Sequence, residues 1–222
     1  MKVSIIIPAY NEEGYIKNCL ISLSKQSKKA HEIIIVDNNC TDKTIEVAKK
    51  YGVKIIHENK QGITPARNRG FDEATGEILA RCDADSILPK DWIRRIIHNF
   101  ERYKIDAVTG PTDFYDLNLP GYSTFLTAYL EFFRSIKNHH TLRGPNMAIS
   151  KKMWKKVKKY ACLDDKKIHE DMDLAIHIHK IKGAIRMDNR LLVTISGRRA
   201  KNNPLSFFGE YPLRLIKTLQ NH

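Results

Sequence analysis

Glu77-Ile78-Leu79-Ala80-Arg81-Cys82-Asp83-Ala84-Asp85 is an apolar, strand-like run that ends on two carboxylates. Residues at i and i+2 of an extended backbone point to the same side, so Asp83 and Asp85 face one way. At the end of a buried strand, that side is the crevice where α/β proteins bind ligands. One or two carboxylates plus substrate phosphates are also the usual way in which a protein holds Mg²⁺. An Asp-rich turn after a strand produces the same letters without any function, and a D-x-D motif is short. The rest of the chain must weigh one against the other.

Two upstream runs have the same form. Residues 3–7 (Val-Ser-Ile-Ile-Ile) lead into Pro8-Ala9-Tyr10-Asn11-Glu12, and residues 32–36 (Glu-Ile-Ile-Ile-Val) into Asp37-Asn38-Asn39. Continuous β-branched runs suit strands buried on both faces of a parallel sheet. Residues 12–26 read as a helix with Ile16, Leu20 and Leu23 on one stripe and Asn11 as its N-cap. Thr41 reads as the N-cap of a helix over 42–51, and Gly52 sits where a C-cap belongs. Residues 53–57 form a third predicted strand, 64–74 a helix and 77–82 a fourth strand. This alternation predicts a doubly wound, mostly parallel α/β sheet flanked by helices, in a single domain.

At these strand ends the chain resembles family 2 glycosyltransferases, which have the GT-A fold. The resemblance is carried by residues 7–12 (Ile-Pro-Ala-Tyr-Asn-Glu), 36–42 (Val-Asp-Asn-Asn-Cys-Thr-Asp), 60–70 (Lys-Gln-Gly-Ile-Thr-Pro-Ala-Arg-Asn-Arg-Gly) and Asp83-Ala84-Asp85. Gly144-Pro145-Asn146-Met147-Ala148 and Glu170-Asp171-Met172-Asp173-Leu174 continue it, six segments in the family's order. One departure is visible: after Asp37 the family usually has Asp-Gly-Ser, and this chain has Asn38-Asn39-Cys40.

The resemblance implies an inverting enzyme that moves sugar from a nucleoside diphosphate sugar to an acceptor hydroxyl, and because the Gln-x-x-Arg-Trp motif of the family's processive synthases is absent, transfer of a single sugar is expected. Residues 1–110 are expected to bind the nucleotide sugar and 111–200 to form the acceptor and catalytic half, with 201–222 as a C-terminal tail that either lies at an interface or has no place in this scheme. Pro8, Ala9, Tyr10, Glu12, Asp37, Gly62, Arg67, Asp83, Ala84 and Asp85 are then expected around the donor. Asp85 is expected to ligate a divalent cation, Mn²⁺ or Mg²⁺, with Asp83 nearer the ribose and acting through water. Gly144, Asn146 and Glu170 are expected on the acceptor side. An attacking hydroxyl must lose a proton, and Asp171 matches the position of the family's general base. Residues 169–171 also fit ordinary helix-start chemistry, in which acids stabilise an N-terminus. Arg198 and Arg199, after the strand-like stretch 191–195, suit bidentate contact with a diphosphate or a solvated basic loop.

Composition bounds the rest. A chain of 222 residues with a formal charge of +13 is long enough for one α/β domain with a sizeable core. No apolar stretch reaches the roughly 18 residues of a membrane span, and residue 3 already opens a core strand, so a cytoplasmic protein is expected. Cys19, Cys40, Cys82 and Cys162 lack metal or disulfide spacing. Much of the charge falls at 151–159, where six lysines surround a stripe of Met153, Val157 and Tyr160. With the aromatic segments 122–133 and 205–211, that cluster suits an anionic membrane surface and a lipid-linked acceptor, or simply a solvated helix face. No nucleic-acid motif accompanies the charge, so no nucleic-acid partner is expected. Two alternatives are a nucleotidyltransferase and a non-catalytic nucleotide- or membrane-binding module. The first would usually carry a glycine-rich phosphate loop where residues 8–12 stand.

Overall fold

The computed structural model describes residues 1–117, 134, 139–161, 168–203 and 218. The first strand, β1 (Val3–Ala9), is buried at every position, as its β-branched run requires. It leads through α1 (Ile16–Ser24), β2 (Glu32–Asp37), α2 (Thr44–Lys49), β3 (Lys54–His57) and α3 (Ile63–Glu73) to β4 (Ile78–Arg81). Then come α4 (Trp92–Arg102), β5 (Ala107–Thr109), β6 (Thr112–Phe114), a 3₁₀ turn at Gly144–Asn146, β7 (Met147–Ser150) and α5 (Lys151–Val157). The described chain closes with α6 (Glu170–Lys180), β8 (Ile185–Met187), β9 (Val193–Ile195) and α7 (Arg198–Asn202).

Seven strands form one sheet in the order β3-β2-β1-β4-β7-β5-β8. β1 pairs in parallel with both β2 and β4, while β7 runs antiparallel between β4 and β5. Both predicted halves of the chain therefore share one sheet. Successive side chains of β1 serve opposite faces: Ile5 and Ile7 pack with Leu20 of α1 and Trp92 and Ile96 of α4. Ile6 packs with Phe71 of α3, Trp154 of α5 and Leu174 of α6. Helices on both faces make the sheet doubly wound, as the sequence predicts. A parallel two-stranded sheet, β6 with β9, stands beside it and is tied in through Ile87 and Thr194. The chain leaves β1 and β2 on one side and β4 on the other. This puts a topological switch point at the carboxyl ends of β1 and β4.

Several boundaries differ from expectation, each for a local reason. Asn11 does not cap α1: its φ is 54° and its side chain accepts from Thr41 N at 2.8 Å. A turn over 12–15 intervenes and α1 starts only at Ile16. Thr41, occupied by Asn11, does not cap α2; Asp42 Oδ1 instead accepts from Thr44 N at 2.9 Å. Gly52, with φ of 65°, ends the second helical segment in the left-handed region as expected. In α5, Met153, Trp154 and Val157 are buried, but Tyr160 lies past the helix end, exposed and stacked on His177. The aromatic segments 122–133 and 205–211 and Cys162 fall outside the described residues. Of the tail after 203, only Thr218 is described, and it is buried, its hydroxyl accepting from His169 N at 2.9 Å.

Candidate active site

A cleft of about 280 Å³ opens at the switch point. Pro8, Ala9, Tyr10 and Glu12 reach it from the end of β1, Asn38 from the end of β2 and Gly62 from the start of α3. Asp83, Ala84 and Asp85 reach it from the end of β4, and Phe114, Pro145, Ser196, Arg198 and Arg199 close the far wall. Ten of the expected residues thus meet in one place, drawn from segments up to 190 positions apart.

The floor is acidic. Asp85 is largely buried, and burial, with Asp83 and Glu12 nearby, pushes its carboxyl up to about 7 although Arg198 opposes the shift. Burial also raises Glu12, and its Oε2 has no hydrogen-bond partner. Asp83 Oδ1 accepts from Arg81 Nη2 at 3.0 Å. Among the described residues, no three His, Cys, Asp or Glu side chains are grouped so as to hold a metal unaided. Asp83 and Asp85, close together on that floor, are nevertheless the kind of carboxylate pair that fits a hard divalent cation completing its shell with phosphate oxygens.

Above the floor lie two arginines. They are not in a loop, as the basic stretch suggested, but open the short helix α7. Its start hangs from Asp116, whose carboxylate accepts from Gly197 N at 2.5 Å and Ser196 Oγ at 2.7 Å. Arg198 contacts Glu12 Oε1 and lies 3.7 Å from Asp85 Oδ2.

Asp171 does not line the cleft itself. It sits in the first turn of α6, where its Oδ2 accepts from Gly144 N at 2.9 Å, one residue from the wall residue Pro145. Burial raises its carboxyl above the usual range, Glu170 adds to this, and His169, Arg81 and the Gly144 N–H oppose it.

Four expected residues have other duties. Arg67, expected at the base or diphosphate, is fully buried and donates to Glu170 Oε2 at 2.6 Å. A guanidinium this deep needs a carboxylate partner, and α6 supplies it. Glu170, expected on the acceptor side, is therefore a structural counter-ion: its other oxygen takes Arg81, and the pair of arginines holds its carboxyl below the usual range against the effect of burial. Asn146, also expected there, is wholly buried; its Oδ1 accepts from Trp92 Nε1 and its Nδ2 donates to Pro111 O. Asp37 lies outside the cleft lining and accepts from Cys40 N at 2.9 Å, with His57 Nδ1 at 3.3 Å.

Gly144 is fixed by packing. A Cβ there would stand 2.7–2.9 Å from the Arg81 guanidinium. Nothing in the sequence marked Phe114, which the β6–β9 pairing brings to the cleft. Asn38 was visible only as a departure from the family. Its Nδ2 donates to Glu58 O and Lys60 O at 2.9 and 2.8 Å, and its Oδ1 accepts from Gly62 N at 2.8 Å. An aspartate could not make the two donor bonds, so here the position braces the loop that carries Gly62.

Residues 4–158 match the sequence model of glycosyl transferase family 2. The chain belongs to that family. This family 2 chain is 33% identical over 120 residues to glycosyltransferase AglE of Haloferax volcanii, covering 50% of this chain and 40% of AglE. It is 42% identical over 89 residues to the uncharacterized glycosyltransferase YibD of Escherichia coli, covering 38% and 26%. The chain thus spans less than half the length of each. In three dimensions it is similar to the mannosyltransferase PcManGT from Pyrobaculum calidifontis, solved with GDP-Man and Mn²⁺. The TM-score is 0.77 at 17% identity, over 99% of this chain and 63% of that one. Glucosyl-3-phosphoglycerate synthase from Mycobacterium tuberculosis, solved with Mn²⁺, UDP and phosphoglyceric acid, gives 0.69 at 19% identity over 99% and 78%. At these identities the likeness establishes the GT-A fold and nothing finer.

Proposed function

We propose that this family 2 chain is a metal-dependent, inverting glycosyltransferase that moves a single sugar from a nucleoside diphosphate sugar to an acceptor hydroxyl. One observation carries the reading: Glu12, Asp83 and Asp85 on one wall of the switch-point cleft face Arg198 and Arg199 on the other. The nucleoside lies along residues 8–12 with Tyr10, exposed at the rim, against the base. Asp85 would hold the divalent cation directly and Asp83 through water, with Asp83 Oδ1 kept by Arg81. When bound, that cation stabilises charge developing on the departing diphosphate. Arg198 and Arg199 contact the same phosphates, for which a guanidinium fork is suited.

The acceptor enters past Gly144 and Pro145, and its hydroxyl gives its proton to Asp171 as the oxygen attacks the sugar carbon. A half-buried carboxylate with a raised pKa is a better base than an exposed one, provided it is ionised at the working pH. Displacement from the face opposite the diphosphate inverts the anomeric centre; inversion rests on the family resemblance.

The acceptor is taken to be lipid-linked or close to a membrane, with the exposed lysines of α5 against the anionic surface on the cytoplasmic side. Among the described residues no helix is long and apolar enough to cross a membrane.

Incubation with UDP-, GDP- and dTDP-sugars and Mn²⁺, with release of free nucleoside diphosphate as the readout, tests the reading. Release from one donor class, dependent on Mn²⁺ and increased by lipid phosphate acceptors, is expected. Pyrophosphate release from nucleoside triphosphates and sugar phosphates instead would make the protein a nucleotidyltransferase.

A further inference from the structure

Arg198 stands where a cation is wanted. Its Nη2 contacts Glu12 Oε1 and lies 3.7 Å from Asp85 Oδ2, while its guanidinium carbon is 4.2 Å from the centroid of the Tyr15 ring. One side chain therefore joins carboxylates from the ends of two strands, β1 and β4, seated against an aromatic face. It does not saturate them, because Glu12 Oε2 is buried without a partner. Asp83 is already bound to Arg81, so Glu12 and Asp85 are the carboxylates left for Arg198.

We propose that Arg198 is the resident counter-ion of Glu12 and Asp85, holding them until a divalent cation reaches Asp85 and then turning to the donor diphosphate. This rests on the donor-site reading above. A divalent cation and a guanidinium repel one another and compete for Asp85, so arrival of one expels the other. The backbone is built for a side-chain swing without a loop movement. Asp116 anchors Ser196 and Gly197, and a Cβ on Gly197 would press on Leu117 at 2.5 Å, so α7 keeps its place while the Arg198 side chain changes partners. Arg199 lines the same cleft, so a displaced Arg198 meets a region already arranged for anions.

The exchange has a thermodynamic consequence. The cation alone must displace Arg198 and binds weakly; with a diphosphate present the displaced guanidinium gains a new partner. Cation and nucleoside diphosphate then bind cooperatively, each increasing the other's affinity by the same factor. Without the exchange, Arg198 would weaken cation binding to the same extent whether or not the nucleotide is present.

Arg198→Met, which keeps the stem and removes the charge, separates the two steps. Mn²⁺ affinity without nucleotide is read from the electron paramagnetic resonance of free Mn²⁺, and UDP and GDP affinities by calorimetry at saturating Mn²⁺. A partly exposed ion pair of this kind is worth about fivefold in affinity. The variant should bind Mn²⁺ alone about that much more tightly and its nucleotide correspondingly less tightly, reducing the cooperativity between them. Circular dichroism checks the fold, and Arg198→Gln gives the same comparison if the methionine variant does not fold. Unchanged or weaker Mn²⁺ binding overturns the proposal, as does tighter Mn²⁺ binding with no loss of nucleotide affinity. If the wild type shows no cooperativity between Mn²⁺ and either nucleotide, and Asp85→Asn leaves Mn²⁺ binding unaltered, the donor-site reading itself is wrong.

Discussion

At the scale of single residues, the site divides into groups that face the cleft and groups that hold them. Asp171 belongs to the second by position and to the first by chemistry. Asp171→Asn keeps its shape and its bond from Gly144 N while removing the base, so sugar transfer should fall about a hundredfold or more with donor affinity retained. Transfer at the wild-type rate would make Asp171 a helix-start acid. The base must be ionised, so with its pKa raised the rate should decline on the acid side at a higher pH than an ordinary carboxylate would give. Burial is the main cause and Glu170 the next, with His169, Arg81 and Arg67 as the opposing charges around it. Glu170→Gln removes a negative neighbour, so the acid limb of the pH–rate profile should move to lower pH; a shift upward would contradict this electrostatic account. Legibility at this scale was uneven. Residues 8–12 and 83–85 could be assigned because strand ends and i, i+2 geometry are local properties. Arg67, Glu170 and Asn146 could not, because whether a polar side chain faces a cleft or a buried partner depends on contacts 35 to 103 positions away.

At the scale of elements, the β-branched runs fixed four parallel strands, and what they missed is also physical. β5, β6 and β8 have three residues each, too short for a period to register, whereas β9 falls inside the strand-like stretch 191–195. The helix-start letters at Asn11 and Thr41 satisfied one another across the gap and not their own helices. Two elements carry testable loads. Gly70 of α3 lies so close to β1 that a Cβ would stand 2.4 Å from Ile6 Cγ2 and 2.9 Å from Val36 Cγ2. Gly70→Ala should therefore cost about 1–3 kcal/mol or more by overpacking, read as a lower urea midpoint with an unchanged slope. A loss under 0.5 kcal/mol would mean that α3 and the sheet can separate at little cost. The start of α6 is pinned by Arg67 from α3 and Arg81 from β4, both meeting Glu170. Glu170→Met removes the carboxylate that two buried guanidinium groups share, leaving Arg81 only Asp83, and should cost about 3–5 kcal/mol, also read by urea unfolding. The same network connects α6, which carries the proposed base, to the strand carrying Asp83 and Asp85, so its loss should disturb donor and acceptor sides together.

For the whole molecule, the charge of +13 is the feature with the broadest reach. α5 buries Met153, Trp154 and Val157 and turns Lys152, Lys155 and Lys156 outward, so these lysines are available to an anionic surface. Each such lysine adds about 1 kcal/mol near an anionic bilayer, an attraction that salt screens. Sedimentation with phosphatidylserine vesicles, but not with phosphatidylcholine vesicles, is expected, and it should weaken in salt and on replacing the six lysines at 151–159. Equal indifference to both vesicles would leave α5 a solvated face and favour a soluble acceptor. All of this presupposes that the cleft at the end of β1 and β4 binds a nucleoside diphosphate through a cation on Asp85. Calorimetric titration of UDP and of GDP, with and without Mn²⁺, into the wild type and Asp85→Asn tests that most directly. The account predicts that at least one nucleotide binds the wild type, that binding requires Mn²⁺, and that Asp85→Asn abolishes the metal dependence with the fold intact. Binding of neither nucleotide in the presence of Mn²⁺, or unchanged Mn²⁺-dependent binding by Asp85→Asn, would contradict it.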